Sequence, residues 1–256
     1  MERPGQEKEG EQGTGAGRES RGESPPPPMP KPRATARQLA FLERLDKHYR
    51  PPGPVRGLSP LEALLFLALQ EGGTRKGTLA SIARIRESTV DWNEARISSL
   101  SEYRVWCEPA GGRDLDGRCR HMKELLSCVY RDYNEVSLDS LAGMKLKDRR
   151  KYLESMEPLA PWMAHYLLNH LDDYRTFLFQ NDMNPVLPRL GLIKRESSPV
   201  KAAEAACRLF GGHKRSLQFQ CALVRHGTEI CVSSIRVGLC RSCLFAEECP
   251  SSKAGG

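Results

Sequence analysis

Apolar residues recur along this chain at helical spacing and nowhere alternate over the length of a β-strand. The run from Ala34 to His48, ATARQLAFLERLDKH, reads as an amphipathic helix, and the proline-rich turn from Pro51 to Pro54 ends it. Ser59 and Pro60 then place a cap and a first-turn proline ahead of LEALLFLALQ, which is apolar on nearly every side. Such a helix is expected at the centre of a helical core and is too short to span a bilayer. Further helices are predicted over Thr78 to Ile85, Val90 to Ile97, Asp116 to Tyr130, Leu146 to Leu153 and Trp162 to Leu171. Others follow over Asp173 to Gln180, Pro185 to Leu190, Ala202 to Phe210 and Leu217 to Arg225. Gly and Pro punctuate these segments at short intervals and no repeat of fixed period is present, so the expected fold class is all-α.

The flanks differ in kind. Residues 1–33 are rich in Gly, Glu, Ser and Pro and poor in apolar side chains, and cannot bury enough surface to offset the entropy of ordering. They are expected to be disordered, as is the end, 251–256. The tail carries charges of both signs, so most of the net +7 and the pI near 9.0 belong to the body. A basic body suggests an acidic partner such as nucleic acid, although a solvated basic surface gives the same count. No apolar leader opens the sequence, which predicts an intracellular, reducing setting (cytoplasm or nucleoid); no membrane association is expected, and the chain is expected to be a monomer.

Cysteine usage sharpens this. Of nine cysteines, Cys107, Cys119, Cys128, Cys207 and Cys221 are scattered and read as core thiols, an arrangement unlike a disulfide framework. Cys231, Cys240, Cys243 and Cys249 instead fall in one short segment with the spacing C-x8-C-x2-C-x5-C. The stretch from His226 to Pro250 has little apolar periodicity, so something other than burial must shape it, and four thiolates point to a metal. Only Cys240 and Cys243 form the close pair usual in zinc sites, while iron–sulfur clusters accept uneven spacings. Spacing alone leaves zinc and iron–sulfur both open.

CALVRHGTEIC followed by the remaining cysteines resembles the C-terminal signature of the endonuclease III group of helix-hairpin-helix DNA glycosylases. In that family an apolar helix end leads through His-Gly to four cysteines around a [4Fe-4S] cluster. His226-Gly227 stands at the matching distance from Cys231, the second and third intervals agree, and the first is two residues longer here. The resemblance extends over roughly Leu58 to Pro250. SPLEALLFLALQ is similar to the family's first long buried helix, with Gln70 where the family often has a glutamine that fills the hole left by a flipped base. DLDGRCRHMKELLSCVYRDYNEVSLDSL and PVLPRLGL are weaker matches in the right order. The resemblance implies a two-lobed helical fold over 34–225, a degenerate helix-hairpin-helix at 146–171, and a [4Fe-4S] loop at 226–250 held by Cys231, Cys240, Cys243 and Cys249, with zinc the alternative.

At the catalytic positions the chain departs from the pattern. The family hairpin L-P-G-V-G-R-K-T-A aligns with MEPLAPWMA, Met156 to Ala164, so the glycines become Pro158 and Ala160 and the attacking lysine becomes Trp162. A phosphate cradle of backbone amides loses donors to proline, and tryptophan cannot form a Schiff base. The aspartate of V-D-T-H falls on Gln180, leaving Asp182, or Asp172 and Asp173, as displaced carboxylates; for Asp182 a helix cap is the competing role. Expected DNA contacts are Gln70, the basic run Lys147, Arg149, Arg150 and Lys151, and Arg236 in the cysteine loop. His165 and His170 read as core or solvated histidines, and His226 as an anchor for the cluster approach. The expected function is a DNA-binding iron–sulfur protein of the base-excision-repair glycosylase superfamily, without lyase activity. Two alternatives stand beside it: a monofunctional glycosylase using Asp182, and an iron–sulfur module that binds a protein partner through an apolar surface around Trp162.

Overall fold

A computed structural model describes residues 31–175, 177–195, 198–232, 237–249 and 252, whose regular structure is helical, with no strand among them. In chain order the helices are α1 Ala36–Tyr49, α2 Pro60–Gln70, α3 Arg75–Ser88, α4 Trp92–Ile97, α5 Leu100–Cys107 and α6 Leu115–Tyr133. They continue with α7 Leu146–Ser155, α8 Pro161–Leu171, α9 Met183–Arg189, α10 Pro199–Ala206, α11 Ser216–Glu229 and α12 Val237–Arg241. None of the described helices is long and apolar enough to cross a membrane.

The expected central helix is α2. Ser59 caps it reciprocally with Glu62, Pro60 occupies its first turn, and every residue from Leu61 to Leu69 is buried. Each of its leucines, fully withdrawn from water, contributes about 1.5–3 kcal/mol, which explains why a helix with so little polar face forms at all. α2 packs against α3 and α6 on one side and α8 on the other. Helices α2 to α6 gather into one lobe; α1 returns across the chain to pack on α11, which with α8 and α9 builds the second, and α2 against α8 forms the seam. The two lobes expected from the resemblance are present in this packing.

Three local readings need correction. Asp173 to Gln180 is not a helix: Asp173 and Tyr174 both take left-handed backbone, with φ of 50° and 59°. The cause is tertiary. The Tyr174 hydroxyl lies 2.8 Å from His170 Nδ1 and receives the Val55 N–H at 3.1 Å, which turns the chain back over the 53–58 connector. The helix predicted to reach Phe210 stops at Ala206 and continues as a wider π turn, Cys207–Gly211. Helix α5 has no counterpart among the predicted helices, although its capping box, Ser99 with Glu102, is written in the sequence.

A cleft at the seam and a cysteine loop behind it

At the C-terminal end of α2 the seam opens into a cleft of ≈ 380 Å³. Tyr49 and Arg50 line it from the end of α1, Gln70 and Glu71 from α2, Trp162 from α8 and Arg225 from α11. Gln70 is tied by its amide to the Gly73 carbonyl at 3.2 Å, while its Oε1 is buried with no partner among the described residues. The turn beneath it is packed tightly: a Cβ at Gly112, where φ is 83°, would stand 1.9 Å from the Gly72 carbonyl oxygen. The buried Arg118 donates to the carbonyls of Leu69 and Gly111, joining the end of α2 to this turn.

Trp162 forms a wall of the cleft. It is 7% exposed, so it presents no open apolar surface of the kind a protein-docking role would use. The Arg225 guanidinium sits 5.7 Å from its ring centre and 5.4 Å from that of Tyr49. Arg225 also pairs with Glu71 at 2.8 Å and Glu229 at 2.7 Å. Among the described lining residues there is no lysine, and the one carboxylate, Glu71, is ion-paired.

Helices α7 and α8 pack as a hairpin across residues 156–160, the place expected for the helix-hairpin-helix. Its amides are largely used within the turn. Leu159 donates to the Met156 carbonyl, Met163 and Ala164 both donate to that of Ala160, and Pro161 has no N–H to give. Lys147 and Lys151 are exposed on α7 and Arg150 half-buried. Arg149 is drawn inward, with its side chain 13% exposed, pairing with Asp172 at 2.9 Å and donating to the Ala142 carbonyl. Arg236 lies outside the described residues.

Behind the cleft, α11 runs into the cysteine loop. Gly227 is required there, because a Cβ would stand 2.0 Å from the Asp182 carbonyl oxygen, and its absence lets α11 press against the turn that starts α9. The loop is wound by local backbone bonds: Cys231 N–H to His226 O at 2.7 Å, Cys243 to Cys240 at 3.2 Å, and Cys249 to Phe245 at 2.8 Å. None of the nine cysteines is disulfide-bonded. Among the described residues no group of three or more His, Cys, Asp or Glu side chains is assembled to hold a metal ion.

Donors are aimed at these sulfurs. Arg189 Nη1 lies 3.4 Å from Cys231 Sγ, and the Phe245 N–H and His226 Nε2 lie 3.4 and 3.6 Å from Cys243 Sγ. Burial pushes the Cys231 and Cys243 thiols up, and the Arg189 guanidinium and the Phe245 amide pull them back. Four uncrosslinked, half-buried or buried thiols, two of them with cationic or N–H donors beside the sulfur, fit a thiolate-bound group in their chemistry.

The candidate carboxylates lie elsewhere. Gln180 is buried and neutral. Asp182 precedes α9 without bonding its first turn, so it is not the side-chain cap considered as its competing role. Burial raises its pKa, and it does not line the cleft. His165 is a fully buried core residue, driven down to about 3 by burial, and His170 is half-buried, its ring between the Tyr174 hydroxyl and the Leu58 carbonyl. His226 is likewise buried, brought to about 4 by burial, and it does stand between the helix and the loop as expected. The cleft residues Tyr49 and Arg225 and the sulfur donor Arg189 were not singled out from sequence. Only Arg225 carried a signal, the i, i+4 spacing to Glu229 just before His226-Gly227.

No protein-family model matches the sequence, and no curated protein matches it. Among solved structures, an endonuclease III in non-covalent complex with DNA is similar at 15% identity over 86% of this chain and 98% of that one, with a TM-score of 0.43. A trapped covalent endonuclease III–DNA intermediate gives 15% identity over 86% and 98%, TM-score 0.42. A thermostable thymine-DNA glycosylase gives 14% over 85% and 97%, TM-score 0.43. These superpositions are loose, and the all-helical architecture stands on the chain's own helices.

Proposed function

We propose that this chain is a DNA-binding iron–sulfur protein of the helix-hairpin-helix DNA glycosylase superfamily that engages duplex or damaged DNA without lyase chemistry. The observation that carries the reading is the cleft itself. Gln70 and Trp162, the residues aligned with a base-replacing glutamine and with the attacking lysine, come from different lobes yet line the same cleft. The amine is replaced by an indole stacked under a paired guanidinium, so a site of that lineage can hold a planar group but cannot form a Schiff base. Lys147, Arg150 and Lys151 on the hairpin supply cations for phosphate, and the net charge of +7 agrees. Cys231, Cys240, Cys243 and Cys249 would hold a [4Fe-4S] cluster, whose contribution is to order the loop. A second reading, monofunctional base excision by Asp182, requires that carboxylate to reach the cleft, which it does not line.

The test is a gel-shift and base-release panel on anaerobically purified, iron-quantified full chain with abasic, mismatched, oxidised and deaminated duplexes. Binding that weakens steeply with salt, with no base released, is the expected result. Base release abolished by Asp182→Asn would establish the second reading, and no binding to any duplex would overturn both.

A further inference from the structure

The end of α1 touches both the cleft and the cysteine loop. Tyr49, its last residue, lines the cleft with its ring and places its hydroxyl 2.9 Å from His226 Nδ1. The opposite ring nitrogen, His226 Nε2, lies 3.6 Å from Cys243 Sγ. His226 is 1% exposed and cannot reorient freely: its ring meets Tyr49 edge-on at 5.9 Å and Phe245 edge-on at 6.0 Å. A neutral imidazole carries one N–H, and a thiolate sulfur can only accept. When Cys243 is a ligand, the proton must sit on Nε2, leaving Nδ1 as an acceptor buried away from water. Tyr49 is the donor that satisfies it.

We propose that Tyr49 is a positioning residue for the cluster loop: its hydroxyl fixes the tautomer and orientation in which His226 donates Nε2–H to the Cys243 thiolate. The inference rests on the cluster reading above. In metal sites the group that hydrogen-bonds a ligand fixes that ligand's orientation, and losing it weakens metal retention about 10–100-fold; here His226 is that partner of Cys243, and Tyr49 acts through it, one step further out. The rest of α1 is attached to the loop by contacts of another kind, the Phe41–Phe245 ring pair at 5.1 Å and the Arg44–Glu248 ion pair at 2.6 Å. These hold the loop without reaching a sulfur, which gives the experiment its control.

Iron-loaded full chain is compared with Tyr49→Phe and Arg44→Ala, reading the rate of iron loss to a chelator and the iron–sulfur stretching bands by resonance Raman. Tyr49→Phe keeps the ring in the cleft and against His226 and removes only the hydroxyl. We expect it to release iron about tenfold faster and to shift a stretching band, whereas Arg44→Ala, which removes an exposed ion pair, a bond to the Leu244 carbonyl and a contact over the Phe245 ring but nothing that touches a sulfur, stays within about twofold. Equal release rates and unshifted bands in Tyr49→Phe would overturn the positioning role. Acceleration of equal size in both variants would also overturn it, since general loosening of α1 would then suffice. Wild-type protein that binds no iron would overturn the cluster reading and this inference with it.

Discussion

The turn between α7 and α8 and the loop after α11 are irregular segments of comparable standing in the fold, and they are held by opposite means. In the turn, the residues that follow the expected hairpin are apolar: Leu159, Trp162 and Met163 are buried, and the amides close back on local carbonyls. Burial and proline geometry are enough to account for its shape. Among the described loop residues Phe245 and Cys249 are the buried ones, while guanidinium, imidazole and amide groups lie beside sulfur. The first segment has replaced polar chemistry by packing; the second has the polar chemistry and little packing. This contrast separates a segment shaped by packing from one shaped by polar contacts to sulfur.

The strongest way to break the contrast is to remove a thiolate. Cys240→Ser and Cys243→Ser are each expected to reduce iron from about four atoms per chain to near zero and to bleach the brown chromophore, with the helical signal largely retained. Iron content equal to wild type in either variant would contradict the cage. Next in size is Trp162→Ala, which takes a buried ring from α8 and from beneath Arg225. It should cost about 3 kcal/mol, toward the lower end for tryptophan because one face borders the cleft, measured by denaturant midpoint at unchanged slope. Its iron content should match wild type; coupled loss of iron would mean that turn and loop are one cooperative unit.

What could be read in advance follows the same division. α2 was legible because burial on every side and the Ser59-Pro60 cap are local features. α8 and α11 carry enough apolar periodicity to be placed within a few residues. The helix expected over Asp173 to Gln180 failed because its local pattern is overridden by hydrogen bonds from Tyr174 to the 53–58 connector, which no window of sequence contains. The cleft was half legible. Gln70 and Trp162 were named for separate reasons, but that they share a wall with Tyr49 and Arg225 depends on α1 crossing to α11, a contact between the ends of the chain. Asp182 shows the reverse case, a residue chosen for proximity in sequence that does not line the cleft and whose backbone carbonyl packs against Gly227.

A last test asks whether the α8–α11 contact beneath both segments is packing alone. His165, on α8, is fully buried and donates Nε2–H to Gln220 Oε1 on α11 at 3.2 Å, while that oxygen also receives the Leu178 N–H at 3.1 Å. Its Nδ1 has no partner among the described residues, and Arg150 adds a repulsive charge, so protonation would place an unpaired cation in the core. The folded pKa, about 3, lies below the ordinary value of 6.5. Between those two values the unfolded chain binds a proton that the folded chain refuses. The contribution is therefore complete above about pH 6.5 and is lost as pH falls toward 3, at about 1.4 kcal/mol per pH unit within the window. Other groups titrate there as well, so the measurement is the difference between wild type and His165→Gln in denaturant unfolding from pH 7 to pH 4. Wild type should lose stability more steeply than the variant by roughly that slope; parallel curves would show that the imidazole is solvated or paired in the fold and that the seam between α8 and α11 is wetter than its burial implies.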